Sequence, residues 1–126
     1  MSKRVLIVED EANIAESISF LLEREGYEVS LLSDGAAAFD AVHASRPDLV
    51  VLDVMLPNRS GFDVLNDIRA SDTTARTPVM MLTAKGQSRD RDRANELGAT
   101  AFVTKPFSNV EIVERVRELA EGKKDA

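Results

Sequence analysis

The chain has 126 residues, no cysteine, 16 Lys and Arg against 22 Asp and Glu, and a net charge of −6. That is the size of one domain, burying roughly two thirds of the surface its unfolded chain exposes, with no disulfide to staple it. The acidic balance argues against nucleic acid or an anionic membrane as a direct partner, since both require basic patches.

Strand and helix signals alternate from end to end. Val5-Leu6-Ile7-Val8 is a short apolar run of the kind that forms a strand buried on both faces. Glu9-Asp10-Glu11 follows it at once, which is unlike a signal peptide, and no apolar run reaches the ~18 residues of a membrane span. With cysteine absent as well, a cytoplasmic, reducing location is expected. Ile14, Ile18, Leu21 and Leu22 recur at helical spacing, with Gly26 as the stop. Tyr27 to Leu32 reads as a second, weaker strand. Asp34 can cap a helix running to about Ser45, offering Ala37, Phe39, Ala41 and Val42 for burial, and Arg46-Pro47 breaks it.

The third strand is Leu49-Val50-Val51-Leu52, running into Asp53 and followed by Val54-Met55-Leu56-Pro57. A carboxylate inside a buried strand is costly, so Asp53 is expected where the strand emerges. Ser60-Gly61-Phe62-Asp63 starts a third helix with Phe62, Leu65 and Ile68 apolar, and a polar connector leads to Pro78. Val79-Met80-Met81-Leu82 is the fourth strand, ending at Thr83. A highly charged helix spans about Ser88 to Leu97 and closes at Gly98. Ala101-Phe102-Val103-Thr104 is the fifth strand, ending in Lys105-Pro106. Ser108-Asn109-Val110-Glu111 is a capping box for a last helix that turns Ile112, Val113, Val116 and Leu119 inward. One domain over 1–122 is expected, with 123–126 a frayed polar tail.

Such an alternation makes an α/β protein with a mostly parallel sheet covered on both faces. In these sheets ligands bind beyond the carboxyl ends of the strands, where the strand order reverses. The residues at those ends are Glu9 and Asp10, Asp53, Thr83, and Lys105. Each alone has an ordinary explanation as a helix-end acid, a turn residue or a solvated lysine. Together they are harder to dismiss. Two carboxylates ~4 Å apart repel by roughly 4 kcal/mol at an effective dielectric near 20, and Lys105 supplies one compensating charge for three of them. A hard divalent cation with oxygen ligands supplies the rest, and Mg²⁺ characteristically takes one or two carboxylates with phosphate and water. A carboxylate beside such an ion can act as nucleophile and form an aspartyl phosphate.

The ordered set Val8-Glu9-Asp10, Asp53-Val54-Met55-Leu56-Pro57 with Gly61, Thr83-Ala84 and Lys105-Pro106-Phe107 resembles the receiver domain of bacterial two-component response regulators. It is closest in style to the single-domain, chemotaxis-regulator type, and the likeness covers essentially the whole chain. The resemblance implies a doubly wound, five-stranded, (βα)5 flavodoxin-like sheet with strand order 2-1-3-4-5. It implies that Asp53 is the phosphoacceptor, with Mg²⁺ as cofactor. Asp10 and Asp53 would be metal ligands, Glu9 would assist through water, and the Met55 backbone carbonyl would complete the set. Thr83 and Lys105 would contact the phosphoryl group, Thr83 and Phe102 would form the switch, and the Lys105-Pro106 bond would be cis. A histidine kinase or histidine phosphotransfer protein would be the donor. An output protein would meet the fourth helix, fifth strand and fifth helix, and the chain would catalyse only its own phosphorylation and dephosphorylation. DNA-binding members dimerise through that surface using acidic residues before the aromatic position, where this chain has Thr100 and Ala101. A monomer or weak dimer is therefore expected.

Other features carry less. His43 falls in the second helix, away from every strand end, and is read as a surface residue. Arg89-Asp90-Arg91-Asp92-Arg93 is most simply a solvated face, or else a partner surface. Met80 and Met81 need only packing to explain them. A flavin or nucleotide protein on the same fold would want a Gly- or Ser/Thr-rich loop after the first strand, and Glu9-Asp10-Glu11 has the wrong sign for that. A partner-binding protein that is never phosphorylated is disfavoured by the intact polar set. The receiver part of a multidomain DNA-binding regulator is the remaining alternative.

Overall fold

A computed structural model describes residues 3–84 and 88–121. Its strands are β1 (Arg4–Val8), β2 (Glu28–Leu32), β3 (Leu49–Asp53), β4 (Val79–Ala84) and β5 (Ala101–Lys105). Its helices are α1 (Ala12–Arg24), α2 (Ala38–Ser45), α3 (Gly61–Ala70), α4 (Ser88–Leu97) and α5 (Asn109–Ala120). The strands form one parallel sheet in the order β2-β1-β3-β4-β5, the doubly wound flavodoxin-like arrangement. β3 is central and every one of its residues is buried, which is why its sequence is apolar without alternation up to Asp53.

Two cores cover the two faces. One gathers Ile7, Val51, Leu82 and Val103 of the sheet with Ile18 and Leu22 of α1 and Ile112 and Val116 of α5. The other gathers Val8, Leu52 and Met81 with Val42 of α2, Leu65 and Ile68 of α3, and Ala94 of α4. Each fully buried Leu, Ile or Val contributes roughly 1.5–3 kcal/mol, so four of these helices are firmly docked. α4 is the exception. Among the described residues its sole fully buried side chain is Ala94.

Most helix ends follow the sequence. Gly26 (φ 96°) and Gly98 (φ 93°) adopt the left-handed conformation beyond α1 and α4. Ser60 and Ser108 accept the Asp63 and Glu111 amides as caps of α3 and α5. Three expectations are corrected. β2 begins at Glu28, because Tyr27 closes the α1 turn through its amide to the Leu22 carbonyl. The segment after Asp34 opens with a 3-10 turn over Gly35–Ala37 before α2. That turn rotates the buried face, so Ala38 is buried and Ala37 exposed, with Phe39 and Ala41 half-buried. In α5 the inward residues are Ile112, Val116 and Ala120, while Val113 and Leu119 are half-buried at the margin. The expected tail at 123–126 lies outside the described residues. Among the described residues no helix is long and apolar enough to cross a membrane.

Candidate phosphoacceptor and metal site

Strand register assembles the site. Asp53 pairs with Leu82, Leu82 with Val103, and Lys105 lies two residues past Val103. Alternation along each strand therefore turns Asp53 and Lys105 to the same side of the sheet. Lys105 Nζ lies 3.2 Å from Asp53 Oδ1, 3.0 Å from Glu9 Oε1 and 3.8 Å from Glu11 Oε1. The Glu11 amide donates to Glu9 Oε2 at 3.0 Å, fixing the Glu9 carboxylate from its other side. Asp10 is exposed at the rim. One carboxylate oxygen each from Glu9, Asp10 and Asp53 lies within 4.8 Å of the others. The cleft above them is about 400 Å³, lined by Asp10, Glu11, Asp53, Met55, Asp90 and Lys105 among others. A larger apolar recess of about 610 Å³ lies beside it between α1 and the start of α5. It has Lys105 on its wall but no carboxylate, so the charged chemistry belongs to the smaller cleft.

Asp53 closes β3 as expected, yet it is 5% exposed, more deeply set than a strand-end carboxylate need be. Burial, with the Glu9 charge beside it, pushes its pKa up to about 6, against the partial relief given by Lys105. Burial also weighs against the Lys105 ammonium. Its hydrogen bond to Glu9 and the charges of Asp53 and Glu9 outweigh that, and its pKa is raised. The cluster therefore remains short of positive charge. Carboxylate oxygens clustered round a partly compensated, desolvated Asp53 suit a hard cation such as Mg²⁺, so the donor set fits the metal that the sequence implies.

Thr83 differs from the others. It pairs with Thr104 and faces the opposite side of the sheet, the side that carries Met81 and Phe102. Its side chain is fully buried and Oγ1 has no hydrogen-bond partner among the described residues. An orphaned hydroxyl is costly to bury, and this one lies one residue from the cleft wall at Ala84. Phe102 is half-buried on β5. Met55 stands 75% exposed at the mouth of the cleft. The Lys105–Pro106 peptide is cis. His43 is exposed on α2, its ring tilted against Phe39.

Glycine explains how the loop after Asp53 holds its course. A side chain on Gly61 would run into the Asp53 carbonyl oxygen, and the Gly61 amide donates to the Val54 carbonyl at 2.8 Å. Gly35 plays the same part from the neighbouring loop, since a side chain there would meet the Arg59 carbonyl oxygen. The Gly35 amide donates to Pro57 O at 3.1 Å, and Asn58 Nδ2 donates to Asp34 Oδ2 at 3.1 Å. Sequence reasoning missed Gly35, Glu11 and Asp90 as parts of the site. Glu11 was in view beside Glu9-Asp10. Gly35 gave no local signal because its role arises from a contact across loops, and Asp90 gave none because its place on the cleft wall depends on how α4 docks.

Comparison with known proteins agrees with the geometry. The family model of the response regulator receiver domain matches residues 5–117. The receiver domain of a signal transduction histidine kinase from Syntrophus aciditrophicus is 32% identical, with 99% of this chain and 95% of that one covered and a TM-score of 0.90. The receiver domain of a sensor histidine kinase from Pseudomonas aeruginosa PAO1, with a magnesium ion coordinated in its active site cleft, is 28% identical over 97% of this chain and 100% of that one, at a TM-score of 0.88. The chemotaxis protein CheY4 of Vibrio cholerae is 28% identical over 94% of this chain and 99% of its own, at a TM-score of 0.87. With Asp53 at the end of the central strand and Lys105 beside it, the chain belongs to the response regulator receiver domain family.

Proposed function

We propose that this chain accepts a phosphoryl group on Asp53 from a phosphohistidine donor and thereby changes its affinity for an output protein. The observation that carries the reading is the juxtaposition of Asp53 with Lys105 at 3.2 Å in a cleft lined by Asp10, with one carboxylate oxygen each of Glu9, Asp10 and Asp53 within 4.8 Å of the others. An Asp53 carboxylate oxygen attacks phosphorus, the new O–P bond forms, and the donor N–P bond breaks with the imidazole leaving. Lys105 stands where it can pair with the phosphoryl oxygens as their charge builds. Asp10 and Asp53, the Met55 carbonyl, and Glu9 through water would hold Mg²⁺, which when bound offsets the negative charge of donor and acceptor. Glu9 also keeps Lys105 aimed at Asp53.

The Thr83 hydroxyl, buried without a partner among the described residues, is suited to donate to the new phosphoryl oxygens. Its movement would open space for Phe102, remodelling the surface of α4, β5 and α5 that an output protein reads. No separate substrate is turned over: the chain catalyses its own phosphorylation and dephosphorylation. A histidine kinase or phosphotransfer protein in the cytoplasm is the matching donor, and neither nucleic acid nor membrane is needed as a direct partner.

Titration with beryllofluoride, a phosphoryl mimic, in the presence of Mg²⁺ tests the reading by NMR. Shifts should centre on Asp53, Thr83 and Lys105 and then spread to Phe102. Shifts confined to Asp10 and Glu11, identical with Mg²⁺ alone, would leave a metal site without an acceptor.

A further inference from the structure

α4 is attached in an unusual way. Among the described residues its single fully buried side chain is Ala94. Its C-terminal end is pinned by Arg69, whose Nε donates to Gly98 O at 2.8 Å and whose terminal nitrogen lies 3.2 Å from Thr100 Oγ1. Towards the other end, two arginines lie over aromatic rings. The Arg91 guanidinium is 4.7 Å from the centre of the Phe102 ring, and that of Arg93 is 5.4 Å from the centre of the Phe62 ring. One residue before Arg91, the half-buried Asp90 lines the cleft that holds Asp53 and Lys105.

We infer that α4 is a charge-driven latch on Phe102, in which Asp90 registers the charge at Asp53 and Arg91 holds the ring. The inference rests on Asp53 being the acceptor. An acid in the first turn of a helix ordinarily offsets the helix dipole from a solvated position. Asp90 instead forms part of the cleft wall, where screening by water is reduced. A phosphoryl group adds about one further negative charge at Asp53, and Asp90 is repelled. Because Asp90 and Arg91 are consecutive in a helix anchored at its far end, the displacement carries Arg91 off Phe102. The ring is then free to move toward the buried Thr83 hydroxyl, on the same side of the sheet. Arg91 and Asp90 are positioning residues here; neither touches the reacting atoms.

The test follows the Phe102 ring by NMR in the full chain, with and without beryllofluoride and Mg²⁺. Arg91→Gln should move the Phe102 resonances toward their mimic-bound positions before any mimic is added. It should also tighten beryllofluoride binding by about fivefold, the order expected when an exposed cation–π restraint on the inactive form is lost. Asp90→Asn should still bind the mimic, but at saturation leave a larger fraction of Phe102 in its resting position. Arg93→Gln loosens the same helix without contacting Phe102 and should leave the ring where it is. Unchanged Phe102 behaviour in both Arg91→Gln and Asp90→Asn overturns the latch, as does an Arg93→Gln effect equal to that of Arg91→Gln. A wild type that takes no mimic at Asp53 removes the acceptor reading itself, and the latch with it.

Discussion

Lys105 Nζ lies 3.2 Å from Asp53 Oδ1 while also contacting Glu9 at 3.0 Å, so one ammonium is divided between two buried carboxylates. Neither carboxylate is fully compensated, and the fold carries that electrostatic cost at the place where the proposed chemistry needs it.

Stability in the absence of metal should therefore rise when the Asp53 charge is removed. The folded-state pKa of Asp53, about 6, lies above the ordinary 3.8, so the folded protein binds this proton more tightly than the unfolded chain does. The resulting contribution is present below about pH 4 and is lost as pH climbs through 6. Asp53→Asn avoids that loss, and at pH 7 should exceed wild type by up to about 3 kcal/mol, the gap closing towards pH 4. Urea unfolding across that range measures it. A variant less stable than wild type at pH 7 contradicts the electrostatic account. Mg²⁺ should stabilise wild type clearly more than the variant.

The acidic pair should divide its labour. Asp10 is exposed at the rim, whereas Glu9 is 2% exposed and tied to Lys105 and the Glu11 amide. On the proposed ligand set, Asp10→Asn removes a direct anionic ligand and should weaken Mg²⁺ binding by about tenfold or more. Glu9→Gln should weaken it less while disturbing Lys105. Isothermal titration of Mg²⁺ into each variant decides this, and equal, negligible effects would reduce the pair to a helix-end feature.

Crowding of the acceptor loop makes a third expectation. Gly61→Ala and Gly35→Ala each force a side chain onto a backbone carbonyl, that of Asp53 and of Arg59 respectively. Both should lose about 1–3 kcal/mol of stability, as overpacking generally does. Gly61→Ala, which pushes on Asp53 itself, should also slow phosphorylation. Thermal unfolding alongside a phosphorylation time course separates the two, and a Gly61→Ala protein with wild-type values on both would contradict the close approach.

Much of this was legible beforehand because it is local. Continuous apolar runs marked β1, β3 and β4, and Ser60, Ser108, Gly26 and Gly98 marked helix ends, since capping depends on residues a few positions apart. The rim residues were legible because each sits at the carboxyl end of a parallel strand. The face change at Gly35–Ala37 was not, because nothing in the local sequence separates a 3-10 turn from a helix start. Nor was the Thr83 hydroxyl left without a partner among the described residues, or the stacking of Arg91 on Phe102. In a sequence of alternating charge, which arginine finds a ring depends on how α4 is rotated against β5.

Association should remain weak even when the site is loaded. Thr100 and Ala101, neither of them acidic, occupy the positions before Phe102. Sedimentation with beryllofluoride and Mg²⁺ should report a monomer or a weak dimer. A tight dimer abolished by changing Arg93 or Glu111 would place self-association, rather than a different protein, on this surface.

The most direct measurement is intact mass after incubation with acetyl phosphate and Mg²⁺. Wild type should gain a single phosphoryl group that hydroxylamine removes, that is absent without Mg²⁺, and that Asp53→Asn never acquires. Phosphorylation of Asp53→Asn at a rate similar to wild type would contradict the assignment of Asp53 as the acceptor.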